Sequence, residues 1–273
     1  MSVGLVPTMG ALHAGHRSLV ERAQAVCDRV VVSIFVNPAQ FGPGDDFDRY
    51  PRRLDADLAV LADSGVHAAY LPSVETMYPG GSATRVEVGG ALTERWEGAS
   101  RPGHFQGVAL VVAKLFAAAR PDLAFFGAKD AQQCAVVQRL ARDLDTGVEI
   151  VVCPTIRDHD GLALSSRNVY LSPDERRRAL AIPNGLAAAI ALFEAGNRDV
   201  HRLITVVRQH LESADAHIDY VALVDPATFV EADFPSPGYK ILVAARIGST
   251  RLIDAVQLGV DAAPVVFGAP GKA

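Results

Sequence analysis

Pro7-Thr8-Met9-Gly10-Ala11-Leu12-His13-Ala14-Gly15-His16 is the stretch on which the reading of this chain turns. A mostly apolar run, Val3 to Val6, leads into it, and Gly10 and Gly15 permit tight backbone geometry there. Beyond it Leu19, Val20, Ala23 and Val26 recur at three- and four-residue steps, the spacing of a helix with one apolar face. Two histidines three apart therefore stand where a strand hands over to a helix. A helix N-terminus offers unpaired N–H groups and the positive end of the dipole, which suits phosphate. Imidazoles placed there can donate hydrogen bonds to phosphate oxygens or carry protons. The glycine spacing fits neither the Walker loop nor the dinucleotide fingerprint.

Outward from this point the first half alternates strand-like and helix-like segments. Val30–Val36 is nearly all apolar and β-branched, as a strand buried on both faces is. Helical patterns at 54–64, 105–119 and 130–144 alternate with strand patterns at 68–71, 123–126 and 148–152. The order implies an α/β fold, a Rossmann-like parallel sheet wrapped by helices, whose ligands bind beyond the carboxyl ends of the strands. The second half changes character. Helical patterns at 173–192 and 200–214 precede strands at 220–224, 240–245 and 252–258, which reads as a smaller α+β C-terminal domain. The expected division is 1–156 for the Rossmann-like domain and 157–273 for the second, with a disordered tail from Ala262, rich in Gly, Pro and Ala.

The bulk numbers bound the function. With 26 basic and 31 acidic residues the net charge is −5, which excludes a general nucleic-acid binder. The three cysteines, Cys27, Cys134 and Cys153, fit no zinc spacing and no disulfide framework, so a cytoplasmic setting is expected. No signal peptide and no membrane span is expected: the longest apolar run, 181–193, is too short and contains Pro183, Asn184 and Gly185. His67, His159, His201, His210 and His217 read as structural or solvent-facing.

Five further segments carry chemistry. Phe35-Val36-Asn37-Pro38-Ala39-Gln40-Phe41 follows the second strand, and Arg101-Pro102-Gly103-His104-Phe105-Gln106-Gly107-Val108 opens the buried helix. Phe126-Gly127-Ala128-Lys129-Asp130-Ala131-Gln132-Gln133 joins the next strand to its helix. Thr155-Ile156-Arg157 follows the last parallel strand, and Leu164-Ser165-Ser166-Arg167-Asn168 is a polar loop among apolar residues. A lysine at a helix start is electrostatically misplaced beside the dipole, which favours a functional Lys129. By contrast, Asp130 reads equally well as an ordinary N-cap, Ser165–Arg167 as a polar turn, and Val108, Val111 and Val112 as helix core.

The His-x-Gly-His element resembles the signature of the nucleotidylyltransferase and class I aminoacyl-tRNA synthetase superfamily. The full set of segments, in this order from Val3 to about Asp254, resembles the pantoate–β-alanine ligase family. The resemblance implies that pantoate attacks the α-phosphate of ATP to give pantoyl adenylate and pyrophosphate, and that β-alanine then displaces AMP. It implies ATP and Mg²⁺ as reactants, pantoate and β-alanine as small-molecule partners, a homodimer, and a C-terminal lid carrying the Ser-Ser-Arg-Asn loop. His13, His16, Lys129 and Arg167 are implied as catalytic. ATP is implied to lie against Met9, Gly10, Gly15, His13, His16, Gly127, Lys129, Asp130, Ile156, Leu164, Ser165, Ser166 and Arg167. For pantoate the implied residues are Gln40, Gln133, Met9, Val108, Val111 and Val112, and for β-alanine Asn37, Gln40, Arg101 and His104. Asp57 matches an acidic position near metal and phosphates. Two departures stand out: Ala128 replaces the usual glutamate before Lys129, and Leu164 replaces the usual methionine. A nucleotidylyltransferase that keeps its adenylated product, and a degenerate nucleotide-binding protein, remain as alternatives.

Overall fold

The structure is a computed structural model that describes residues 1–80 and 83–264. Most of the tail expected to be disordered thus lies outside the described residues. The chain divides into two compact units, residues 1–154 and 155–273.

In the first unit β1 (Val3–Thr8), β2 (Arg29–Ile34), β3 (Ala68–Tyr70), β4 (Leu123–Gly127) and β5 (Glu149–Cys153) form one sheet in the order β3-β2-β1-β4-β5. All four pairings are parallel. Helices α1 (Ala14–Gln24), α2 (Leu54–Asp63), the one-turn α3 (Val74–Met77), α4 (Ala91–Glu94) and α5 (Glu97–Ser100), then α6 (His104–Ala119) and α7 (Ala131–Asp143) make the connections. The order reverses between β1 and β4, so their carboxyl ends flank a switch point where open α/β sheets bind ligands. Pro7 sharpens the opening. The β1–β2 ladder runs to Thr8, but the recorded β1–β4 pairs are Gly4 with Leu123 and Leu5 with Ala124. A proline has no N–H with which to extend a ladder, and the strands part just before it.

The apolar residues lie where their spacing places them. Leu19, Val20 and Ala23 of α1 are buried with Val6, Val30 and Val32 on one side of the sheet. Val108, Val111 and Val112 of α6 are buried with Leu5, Phe35 and Phe126 in a second cluster. Gly107 lets α6 lie flat on the 3₁₀ turn Pro38–Gln40, since a Cβ there would sit 2.1 Å from the Ala39 carbonyl oxygen.

The second unit contains α8 (Pro173–Ala179), α9 (Ala181–Glu194) and α10 (Val200–Ser213), followed by the antiparallel β6 (His217–Val224), β7 (Lys240–Ile247) and β8 (Thr250–Gln257). Leu203, Val207 and Leu211, one turn apart, bury completely among Ile190, Leu223 and Ile241. The single helix expected over 173–192 is two. Pro183 occupies the first turn of α9, so no N–H reaches back to the Ala179 carbonyl and α8 ends there. A bidentate pair from Arg157 to the buried Asp254, at 2.6 and 3.1 Å, ties the start of this unit to β8. No helix among the described residues is long and apolar enough to cross a membrane.

Alanine in a helix interior ordinarily gains up to about 1 kcal/mol over glycine. At Gly107 the sign reverses: overpacking against the Ala39 carbonyl makes Gly107→Ala destabilising by about 1–3 kcal/mol. Urea unfolding of the variant measures this, and a neutral or stabilising result contradicts the packing described.

Candidate active site

The loop from β1 to α1 makes its turn in the left-handed region, at Gly10 (φ 79°) and Ala11 (φ 50°). Only glycine adopts that region freely, and Ala11 adopts it because a carboxylate holds it there. Asp57, 3% exposed in the first turn of α2, accepts from the Ala11 N–H at 2.9 Å and from the Leu12 N–H at 2.8 Å. A Cβ on Gly10 would stand 2.9 Å from the same carboxylate, so the turn and its anchor fit only with glycine at this position. Asp57, which the resemblance places near metal and phosphates, spends one oxygen on each amide. No group of three or more His, Cys, Asp or Glu among the described residues could hold a metal ion.

That turn delivers His13 as the N-cap of α1. Its Nδ1 accepts from the Gly15 N–H at 3.1 Å, and His16 Nδ1 accepts from the His13 N–H at 3.3 Å. A backbone N–H can only donate, so each neutral ring keeps its proton on Nε2. The rings lie tilted by 38° to one another with centroids 4.1 Å apart. Burial is the main force on both, and it holds His13 down to about 4 and His16 to about 3. Lys129 pushes both further down, Asp130 partly opposes it at His13, and His13 itself adds to the effect at His16. The pair therefore offers two uncharged Nε2–H donors at neutral pH. Because β4 pairs directly with β1, the loop after β4 leaves the sheet beside the loop after β1.

The Lys129 ammonium lies 3.6 Å from the Asp130 carboxylate. A Cβ on Gly127 would meet nothing within 4 Å, which leaves room for a ligand against the backbone. Of the two consecutive glutamines that follow, Gln132 is buried and fully engaged. It accepts from the Glu97 N–H at 3.0 Å and donates to the Leu92 and Arg95 carbonyls at 2.8 and 2.9 Å. The side chain of Gln133, partly exposed, has no hydrogen-bond partner among the described residues.

Gln40 sits across the switch point on the loop after β2, its Nε2 3.2 Å from the Met9 sulfur. Its supports are the residues read from sequence as β-alanine contacts. Asn37, 1% exposed, donates to Gln40 Oε1 and to the Gly107 carbonyl, each at 3.1 Å. It accepts from the Ala39 N–H at 3.1 Å and from the Tyr78 hydroxyl at 2.6 Å. Arg101 bonds Asp45 at 2.9 Å, Glu97 at 3.4 Å and the Gln40 carbonyl at 3.1 Å. His104 donates from Nδ1 to the same carbonyl at 2.9 Å, and burial with the neighbouring Arg101 lowers its pKa to about 4. Asn37, Arg101 and His104 thus form a satisfied scaffold behind Gln40, not an open cationic pocket. Tyr78, Asp45 and Glu97 complete this scaffold and carry no sequence signal of their own. Val108, Val111 and Val112 lie in the buried face of α6 beneath it.

In the second unit Leu164 N–H donates to the Ile156 carbonyl at 2.9 Å. Ser165 caps the 3₁₀ turn Ser166–Tyr170 through the Arg167 N–H at 3.3 Å, Ser166 is buried, and Asn168 donates to the Ala163 carbonyl at 3.1 Å. These bonds fold residues 156–168 into one compact loop.

A family model described as pantoate-β-alanine ligase matches residues 1–257. A pantothenate synthetase of Acidobacterium capsulatum is 54% identical over 259 residues, covering 94% of this chain and 86% of the relative. One from Rhizorhabdus wittichii is 53% identical over 262 residues, covering 96% and 92%. The crystal structure of the Thermus thermophilus pantothenate synthetase superposes with a TM-score of 0.92 at 49% identity, covering 94% of this chain and 93% of that one. A Francisella tularensis pantoate-β-alanine ligase, crystallised with β-γ ATP and β-alanine, superposes with a TM-score of 0.76 at 35% identity, covering 94% and 89%.

Imidazole NMR tests the electrostatics of the site. His13, His16 and His104 stay unprotonated from pH 8 to 5.5, and a midpoint near 6.5 for any of them contradicts the environment described. Because these rings bind protons less readily folded than unfolded, they withdraw stability as pH falls below about 6.5, the unfolded value, toward about 4.

Proposed function

The chain belongs to the pantoate–β-alanine ligase family, and on that premise we propose a two-step reaction: pantoate and ATP give pantoyl adenylate and pyrophosphate, and β-alanine then displaces AMP. A carboxylate resists attack by an amine until one oxygen becomes part of a good leaving group, and adenylation supplies it. Negative charge then gathers on the α-phosphate and the departing pyrophosphate, so catalysis rests on fixed donors and cations. The observation that carries the reading is the pair of neutral Nε2–H imidazoles, pinned by backbone N–H groups at a helix start beside Lys129.

In this reading His13 and His16 donate to phosphate oxygens, and Lys129 adds the point charge. Met9, Gly10 and Gly15 approach the nucleotide, Gly127 lets the ribose close to the backbone, and Asp130 accepts from its hydroxyls. Gln40 and Gln133 hold pantoate, with the apolar face of α6 at Val108, Val111 and Val112 behind it. Neutral amides orient the acid without locking its carboxylate into an ion pair. Ile156, Leu164, Ser165, Ser166 and Arg167 are assigned to adenine and to the leaving pyrophosphate on the resemblance of their loop. Arg101, His104 and Asn37 act on β-alanine through the placement of Gln40. Mg²⁺ would enter with ATP and would offset charge on its phosphates. A homodimer in the cytoplasm completes the reading, and sedimentation at twice the chain mass tests the pairing.

The deciding assay follows AMP release, which requires pantoate and β-alanine together. AMP release indifferent to pantoate overturns the assignment. In Lys129→Ala the pantoate-dependent ATP–pyrophosphate exchange falls about 10²–10³-fold with the melting temperature unchanged, because a loop cation stabilises developing charge more than it packs. A variant that retains the full exchange rate removes Lys129 from this role.

A further inference from the structure

Outside the reacting groups, the first unit holds a closely bonded polar chain, Tyr78–Asn37–Gln40. Its polarity can be read without assigning any amide by choice. Asn37 Oδ1 faces the Ala39 N–H, which only donates, and Asn37 Nδ2 faces the Gly107 carbonyl, which only accepts. Asn37 is thereby fixed, with all four of its hydrogen-bonding positions filled. The atom of Gln40 that it meets must be the acceptor Oε1. Gln40 Nε2 is then the end left for the site. Among the described residues it meets there only the Met9 sulfur at 3.2 Å, a weak acceptor that a substrate oxygen outcompetes. Tyr78 reinforces the setting from 41 residues away, its hydroxyl donating to Asn37 Oδ1 at 2.6 Å. Its half-buried ring stands 6.2 Å from Phe35, and desolvation, partly opposed by the bond to Asn37, pushes the phenol up to about 12. It stays a donor throughout the working range of pH.

We propose that Tyr78 and Asn37 are positioning residues that lock the Gln40 amide with its N–H₂ end toward pantoate, so that this side of the site accepts only a hydrogen-bond acceptor of the acid. The inference rests on Gln40 belonging to the pantoate side of the proposed site. Asparagine is required at 37 because aspartate, with the same shape, has no donor for Gln40 Oε1. Against a carboxylate the Gln40 amide turns over and presents its carbonyl oxygen to an anionic substrate.

The test is pantoate-dependent ATP–pyrophosphate exchange with Asn37→Asp and Tyr78→Phe, measuring the KM for pantoate and for ATP in each. Asn37→Asp is expected to raise the pantoate KM more than tenfold with the ATP KM within twofold of wild type. Tyr78→Phe, which leaves the Ala39 N–H holding Asn37, raises the pantoate KM three- to tenfold. A purely structural role moves both constants together or neither. The ratio of the two constants remaining within twofold of wild type in either folded variant overturns the proposal. If Asn37→Asp does not fold, Tyr78→Phe alone decides by the same criterion. Wild-type protein with no pantoate-dependent exchange would instead overturn the reading of Gln40 as a pantoate ligand, whatever the variants do.

Discussion

The carboxylate of Asp57 on the amides of Ala11 and Leu12 is the contact on which the geometry of the site depends. The turn it holds contains a non-glycine residue in the left-handed region, an arrangement that costs about 1–2 kcal/mol and persists only where its surroundings over-determine it. A buried carboxylate accepting two N–H groups provides that determination. The turn decides where α1 begins, and where α1 begins decides which way two imidazoles point. The same bond ties α2, which follows the neighbouring strand, to the loop after β1. Two successive crossovers are thus fixed to one another at the carboxyl end of the sheet.

The sheet supplies the rest of the placement. With the order β3-β2-β1-β4-β5, the loops after β1, β2 and β4 are neighbours although more than a hundred residues separate the first from the last. Pro7 stands where the β1–β4 ladder has already stopped, so the loops leave from an open edge. Around that edge, side chains of one chemistry divide into two tasks. Gln132 staples the 92–97 turns to the start of α7, while the side chain of Gln133 beside it has no partner among the described residues. Asn37 is saturated by the protein, while Gln40 three residues on is held by Asn37 at its oxygen. One amide of each pair gives the other a fixed base.

How much of this was legible in sequence follows from the range of the interaction concerned. The parallel sheet was legible because strand and helix periods are local, and Leu19, Val20 and Ala23 are read within one helix. The break at residue 180 was missed because a continuous apolar pattern outweighed Pro183, whose effect is one absent hydrogen bond. Asn37, Arg101 and His104 were legible as a group but not as a scaffold. Their chemistry suits an exposed carboxylate as well as it suits Asp45, Glu97 and the Gln40 carbonyl, and burial alone separates the two. Tyr78 was not legible at all. It lies in a stretch of one-turn helices without periodicity, and its partner is brought to it by tertiary contacts alone.

The distribution of charge explains why such a scaffold is worth its residues. Both proposed adenylation substrates are anions, which argues for positive charge. Yet a carboxylate that must attack phosphorus is a poorer nucleophile the more tightly a cation holds it. The protein separates the two requirements in space. On the proposed nucleotide side Lys129, with Asp130 beside it, stands next to imidazoles that burial keeps uncharged. On the acid side the nearby guanidinium of Arg101 is turned onto Asp45 and Glu97 and reaches Gln40 only through the backbone. What the proposal leaves facing the acid is a dipole of fixed sign. A dipole can orient a carboxylate at little cost to its reactivity, but only if it cannot turn over. That requirement makes the saturated Asn37 behind it, and not a further positive charge, the feature this side of the site needs.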